Sequence, residues 1–325
     1  MAKYLITGVA GFIGSNIAHA LIAQGQQVRG IDNLSDGRMG NLAGIVDRFD
    51  LRQADITDDD ALRSACTGMD YVLHQAARGS VPRSLADPVG SNHANVVGTL
   101  KVFQAAREAG VKRVVIASSS SVYGDTPTLP KREDMACAPI SPYAVSKYAG
   151  ELYAQSFACL LGLETVCLRY FNVFGPRQHP TSQYAAVIPK FIRAMLQGQQ
   201  PVIFGDGQTS RDFTFVDNVV SANLLACQTP AEKVAGQVFN VATGKSFSLN
   251  QLFSLLQEHT GYSGAPSYAP ARSGDIKDSL ADSSRACQAI GYKTLVDFKE
   301  GLRRTVEWYR QEFAAAQDAG SRQSA

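Results

Sequence analysis

No apolar run in this 325-residue chain is long enough to cross a bilayer, which takes about 20 residues. The opening, MAKYLITGVAG, is too short and too strand-like for a secretory apolar core. The six cysteines (Cys66, Cys137, Cys159, Cys167, Cys227 and Cys287) are scattered and form no CxxC pair. They read as reduced packing thiols of a cytoplasmic protein. The five histidines show no ligand spacing, so no metal is expected. Net charge is only +2 and no basic run occurs, so neither a nucleic acid nor a membrane is an expected partner. No internal repeat is evident. Apolar content of 45% and charged content of 18% are those of an ordinary globular protein. The length asks for about two lobes rather than one core.

The first half alternates short apolar strands with helical stretches. Strands are expected at Tyr4 to Ile6, Val28 to Ile31, Phe49 to Ala54, Tyr71 to His74, Val114 to Ala117 and Thr165 to Tyr170. Helices are expected at Phe12 to Ala23, Val96 to Ala109 and Tyr143 to Leu161. Near-continuous apolar strands between helices imply a doubly wound, Rossmann-type parallel α/β sheet covered on both faces. Past Gly175, proline and glycine punctuate often and elements shorten. The expected division is a dinucleotide-binding domain at 1–175, with 215–242 returning to it, and a smaller mixed α/β substrate lobe from 176–214 and 243–325. Phe239 to Val241 reads as one more strand and Ser248 to His259 as a helix. The polar tail after Phe313 is expected to fray.

Two features carry chemistry. In TGVAGFIG, Gly8, Gly11 and Gly14 follow a strand and open a helix. Glycine lets the backbone turn tightly and approach a pyrophosphate, and the helix N-terminus favours the anion. Asp32, at the end of the second strand, suits the adenosine ribose hydroxyls and repels a 2′-phosphate, so NAD is expected over NADP. Asp55 ends another strand and suits the adenine amino group. The second feature is SPYAVSK, where Tyr143 and Lys147 stand four residues apart and so share a helix face. Ser141 is a good N-cap and Pro142 suits the first turn. An ammonium beside a phenol is expected to lower the phenol's pKa toward neutrality. Such a tyrosine moves a proton while a nicotinamide moves a hydride.

These residues, with HQAA (His74 to Ala77), Asn95 in NVVGTL, SSSSVYG and RYFNVFGPRQ, resemble the extended short-chain dehydrogenase/reductase family. Within it the chain looks like a UDP-hexose 4-epimerase. The segments YAAVIPKF, VIFGDGQTSRDFTFVD, RSGDIKDSLAD and SVPRS make it most like the bacterial UDP-N-acetylglucosamine 4-epimerases. The resemblance implies 4-epimerisation through a 4-keto intermediate, with UDP-GlcNAc/UDP-GalNAc or UDP-Glc/UDP-Gal as substrate. It adds Phe12, Ile13, Asn33, Ile56, Ala76 and Asn95 to the NAD site. It also selects Ser119 as the catalytic hydroxyl from the run Ser118 to Ser121, among which the bare sequence cannot choose. Sugar 4,6-dehydratases of the family carry Asp-Glu after this hydroxyl, and uronate decarboxylases a Glu at the second place; this chain has Ser120 and Ser121.

By the same resemblance the UDP-sugar site is expected to draw on Asn172, Val187, Phe204, Arg211, Arg272 and Asp275, with Ser80, Ser119, Ser120 and Ser121 near the hexose. Arg211 and Arg272 can each clamp phosphate oxygens with a planar fork. Ser279 stands where many 4-epimerases carry a tyrosine, and its small size leaves room for a 2-acetamido group. Arg83 in SVPRS suits a sugar carboxylate, which keeps UDP-glucuronate 4-epimerisation open. Another nucleotide-sugar oxidoreductase or dehydratase is the remaining rival. A homodimer is expected through two helices per subunit, 96–109 and 145–161.

Overall fold

Seven parallel strands form the central sheet of the computed structural model, which describes residues 1–179, 186–271 and 277–323. They are β1 (Lys3–Thr7), β2 (Gln27–Asp32), β3 (Asp50–Gln53), β4 (Tyr71–His74), β5 (Arg113–Ser119), β6 (Glu164–Tyr170) and β7 (Gln237–Val241). Their spatial order is β7-β6-β5-β4-β1-β2-β3. The order reverses direction between β1 and β4, which leaves a crevice at the carboxyl ends of those strands, where such sheets bind ligands.

Alternate residues of each strand feed two cores. On one face Tyr4, Ile6, Val115 and Leu168 meet helices α1 (Phe12–Ala23) and α4 (Val216–Gln228). On the other, Leu5, Val114, Ile116 and Cys167 meet α2 (Gly98–Glu108) and α3 (Pro142–Leu160). Both faces are dry, which explains the lack of polar alternation in the strands. A third cluster gathers Phe174, Ile188, Phe191, Phe213, Phe215, Leu252 and Phe298 from the later segments. Phe213 stacks on Phe298 at 5.1 Å between ring centroids.

Two local expectations are corrected. The helix expected from Val96 is preceded by a wide π-turn at His93–Val97, and α2 proper begins at Gly98. Asn95 sits inside that turn, and insertions of this kind often mark functional sites. The tail does not fray after Phe313, because one helix runs from Phe298 to Gln323. Its Ala-rich stretch contains no proline, and helix propensity carries it on. No helix among the described residues is long and apolar enough to cross a membrane. No cluster of His, Cys, Asp or Glu among them could hold a metal ion.

Candidate active site

The glycine turn is built by contact. Gly8 has φ +68°, and a Cβ there would lie 2.8 Å from the Ala76 backbone. At Gly14 a Cβ would fall 2.1 Å from the Gly8 carbonyl oxygen, so α1 can begin beside the turn only with glycine. The side chain of Phe12 packs on the third core and that of Ile13 on the first. The backbone N–H groups at this helix start suit an anion.

A cleft runs from this turn along the strand ends, lined by Gly8, Gly11, Asp32, Asn33, Asp55, Ile56 and Ala76. Asp32 is 7% exposed. Its carboxylate accepts from Ala10 N at 2.9 Å and Leu34 N at 2.8 Å. Burial pushes its pKa up, and these amide bonds pull it back. Asp55 accepts from Asn33 Nδ2 at 2.6 Å and from Thr57 N and Oγ1. A tight glycine turn, a helix start and a fixed acid at the end of β2 fit a dinucleotide with free ribose hydroxyls.

The Tyr143 helix is tied to Arg78 of this cleft through Asn95. Lys147 Nζ sits 5.9 Å from the Tyr143 ring centroid and donates to Ala117 O at 2.9 Å. Ser119, the last residue of β5, stands beside the Tyr143 side chain, where its hydroxyl favours the phenolate. Ser121 N and Oγ donate to Ser119 Oγ at 3.2 and 2.9 Å. Ser118 faces the other way, is buried, and donates to Glu151. The strand's two-residue period thus puts Ser119, and not Ser118, on the tyrosine. Ser120 and Ser121 follow in a half-buried 3₁₀ turn.

The expected acidification of Tyr143 is corrected. Burial raises its pKa, opposed only by the Ser119 hydrogen bond. The same desolvation lowers Lys147 to about 8, so the ammonium is itself destabilised.

The family model for the NAD dependent epimerase/dehydratase family matches residues 4–242. The chain belongs to that family. NAD is therefore its cofactor. Among relatives, the chain is 42% identical over 319 residues to a UDP-glucose 4-epimerase of Mycolicibacterium smegmatis, covering 95% of this chain and 99% of the relative. A UDP-N-acetylglucosamine 4-epimerase from Methanobrevibacter ruminantium, solved with UDP-N-acetylmuramic acid, is 44% identical with TM-score 0.91, over 96% of this chain and 99% of that one. The UDP-glucose 4-epimerase of Thermotoga maritima, solved with UDP-glucose, is 38% identical with TM-score 0.91 and the same coverage.

This family member brings several of the expected substrate residues together. Asn172 Nδ2 donates to Asp212 O at 3.0 Å and to Ser279 Oγ at 3.3 Å. Ser279 N donates to Ser210 O, and Arg211 Nη1 donates to Ser210 O and Lys277 O. Asn172, Arg211 and Ser279 therefore share one patch. Val187 opens the helix Val187–Leu196 and packs on the third core. Phe204 ends the short strand Val202–Phe204 and is half-buried. Arg272 and Asp275 lie outside the described residues. Ser80 caps the helix Val81–Ala86 by accepting from Arg83 N. Arg83, expected near a sugar carboxylate, forms an ion pair with Asp36, which lines the cleft beside Gly8.

Further hydrogen bonds hold these segments together. Ser84 Oγ accepts from Tyr143 N at 3.0 Å, which ties SVPRS to the start of α3. Asn95 Oδ1 accepts from Arg78 N, while its Nδ2 donates to Arg78 O and to Ser146 Oγ. Thr99 Oγ1 donates to Asn95 O at 2.6 Å. Thr99 must then accept from His74 Nε2 at 2.9 Å, which leaves Nδ1 to accept from Thr7 Oγ1 at 2.6 Å. His74 is thereby a neutral linker between the ends of β1 and α2.

Proposed function

We propose that this chain is an NAD-dependent UDP-hexose 4-epimerase acting on UDP-GlcNAc and UDP-GalNAc, with UDP-Glc and UDP-Gal also admitted. The observation that carries the reading is Tyr143 and Lys147 on one helix face against Ser119, with serines at the next two positions. Bound NAD supplies a reversible hydride acceptor. Tyr143 removes the 4-OH proton, and Ser119 holds the sugar oxygen and relays that proton. Arg211 and Asn172 hold the diphosphate. The 4-keto sugar then turns about its diphosphate link, and Tyr143 returns the proton to the oxygen. The raised phenol pKa suits the acid half of this cycle, and the Ser119 hydrogen bond supports the base half.

Dehydration would need an acid and a base where Ser120 and Ser121 stand. A uronate substrate would need a cation, and Arg83 is already paired with Asp36. The N-acetyl preference is supported by the small Ser279 beside Asn172. The reading includes a homodimer. Val145, Leu152 and Leu160 on α3 are exposed, Leu160 by 79%, while Gln104, Arg107 and Glu108 on α2 make that helix the polar part of the face. Light scattering checks the mass.

The deciding experiment incubates the purified protein with UDP-Glc, UDP-GlcNAc and UDP-GlcA separately and resolves the products. The expected result is UDP-GalNAc from UDP-GlcNAc, with NAD released on denaturation. Conversion of UDP-GlcA alone, or release of a deoxy-keto sugar, overturns the proposal.

A further inference from the structure

Glu151 stands eight residues after Tyr143 on α3, so Tyr143, Lys147 and Glu151 form one stripe. The stripe meets three consecutive residues of β5. Tyr143 takes Ser119, Lys147 donates to Ala117 O, and Glu151 accepts from Ser118 Oγ. Glu151 is 1% exposed. Arg169 on β6, the register partner of Ser118, completes the contact. Its Nε donates to Glu151 Oε1 at 2.9 Å and its Nη2 to Oε2 at 2.7 Å. Burial and this carboxylate both act on the guanidinium, and the carboxylate prevails, raising the pKa of Arg169.

We propose that Glu151 is a positioning residue, which through Ser118 and Arg169 sets the register of the Tyr143 helix against the Ser119 strand. The inference rests on the acid–base roles proposed above for Tyr143 and Ser119. A buried carboxylate gripped by a two-pronged guanidinium holds direction as well as distance. A polar pair is costly to bury, and such pairs are not in general needed for stability. Placed at this seam, it fixes the rotation and slide of α3 on β5. Those coordinates decide whether the phenol oxygen and the Ser119 hydroxyl can both reach one substrate atom. An error of about 1 Å in such a placement can cost about a hundredfold in rate.

The same two strands carry a built-in control. Arg113 and Glu164 pair at the opposite ends of β5 and β6, where Arg113 also donates to Ala226, Cys227 and Thr229 carbonyls. That ion pair touches no site residue. Glu151→Gln should lower kcat about 10- to 100-fold per NAD-loaded enzyme, with KM for the UDP-sugar and the bound NAD within about twofold of wild type. Glu164→Gln should lower Tm and leave kcat unchanged. Ser118→Ala, a milder change that keeps the ion pair, should lower kcat about three- to tenfold at unchanged KM. Should Glu151→Gln not fold, Ser118→Ala decides. Wild-type kcat in Ser118→Ala or in Glu151→Gln overturns the positioning role, as does an equal loss in Glu164→Gln. Wild-type inactivity on every UDP-hexose would instead sink the functional proposal.

Discussion

Tyr143 is half-buried beside Lys147, yet its phenol is raised and not lowered, because both groups leave water together. Desolvation penalises the phenolate and the ammonium alike. In the proposed reaction, the contact with Ser119 is what favours the phenolate. Tyr143→Phe should cut kcat by about 10²–10⁴-fold while UDP-sugar binding, followed by calorimetry, persists. Ser119→Ala should slow turnover more than Ser118→Ala does, since only Ser119 meets the tyrosine. His74 carries a separate signature. Burial lowers its pKa from 6.5 to about 3, so below pH 6.5 the unfolded chain binds a proton that the folded chain refuses. Stability from this residue is therefore complete above pH 6.5 and is lost as pH falls toward 3. Denaturant titrations between pH 7 and 5 should show a steeper loss for wild type than for His74→Gln.

Among elements, α1 and α3 carry the site, and each is held by backbone as much as by side chains. The Gly14 backbone approaches Gly8 O so closely that no Cβ fits, and that neighbour is backbone that cannot turn aside. Gly14→Ala should strip bound NAD from the purified protein and cost roughly 1–3 kcal/mol, read as a lower Tm. Helix α3 is pinned at its first turn by Ser84 on Tyr143 N and by Ser146 Oγ donating to Tyr143 O. It is pinned again one and two turns on, by Lys147 and Glu151. Asn95 joins this helix to Arg78 of the cleft beside Gly8, so the proposed cofactor and proton-transfer groups share one frame.

Over the whole molecule, the proposed hexose pocket is closed by chain from both halves of the sequence. Asn172 leaves the end of β6 with φ +37° and reaches Ser279, 107 residues later. The cleft beside Gly8 is built on strand ends, whereas this proposed wall is a contact between distant segments. Ser279→Tyr should depress kcat/KM for UDP-GlcNAc/UDP-GalNAc more than for UDP-Glc/UDP-Gal. Overlap with the acetamido group costs about 1–3 kcal/mol, so the ratio should shift by roughly ten- to a hundredfold. An unchanged ratio would remove Ser279 from the pocket wall.

The strand–helix alternation, the turn at Gly8, Gly11 and Gly14, and the pairing of Tyr143 with Lys147 were all legible in the sequence. Each depends on a short-range period or on backbone freedom, which a few neighbouring residues contain. The helix Phe12–Ala23 and the strand Tyr71–His74 appear with the expected ends. What the sequence could not rank was Ser118 against Ser119, because the choice depends on Glu151 lying behind one of them. It could not foresee that Arg83 would meet Asp36, or that His74 would link Thr7 to Thr99. The sign of the Tyr143 shift was misread for the same reason. Ion pairing, hydrogen-bond direction and desolvation are set by groups distant in the chain, and only the tertiary structure decides which of them arrive.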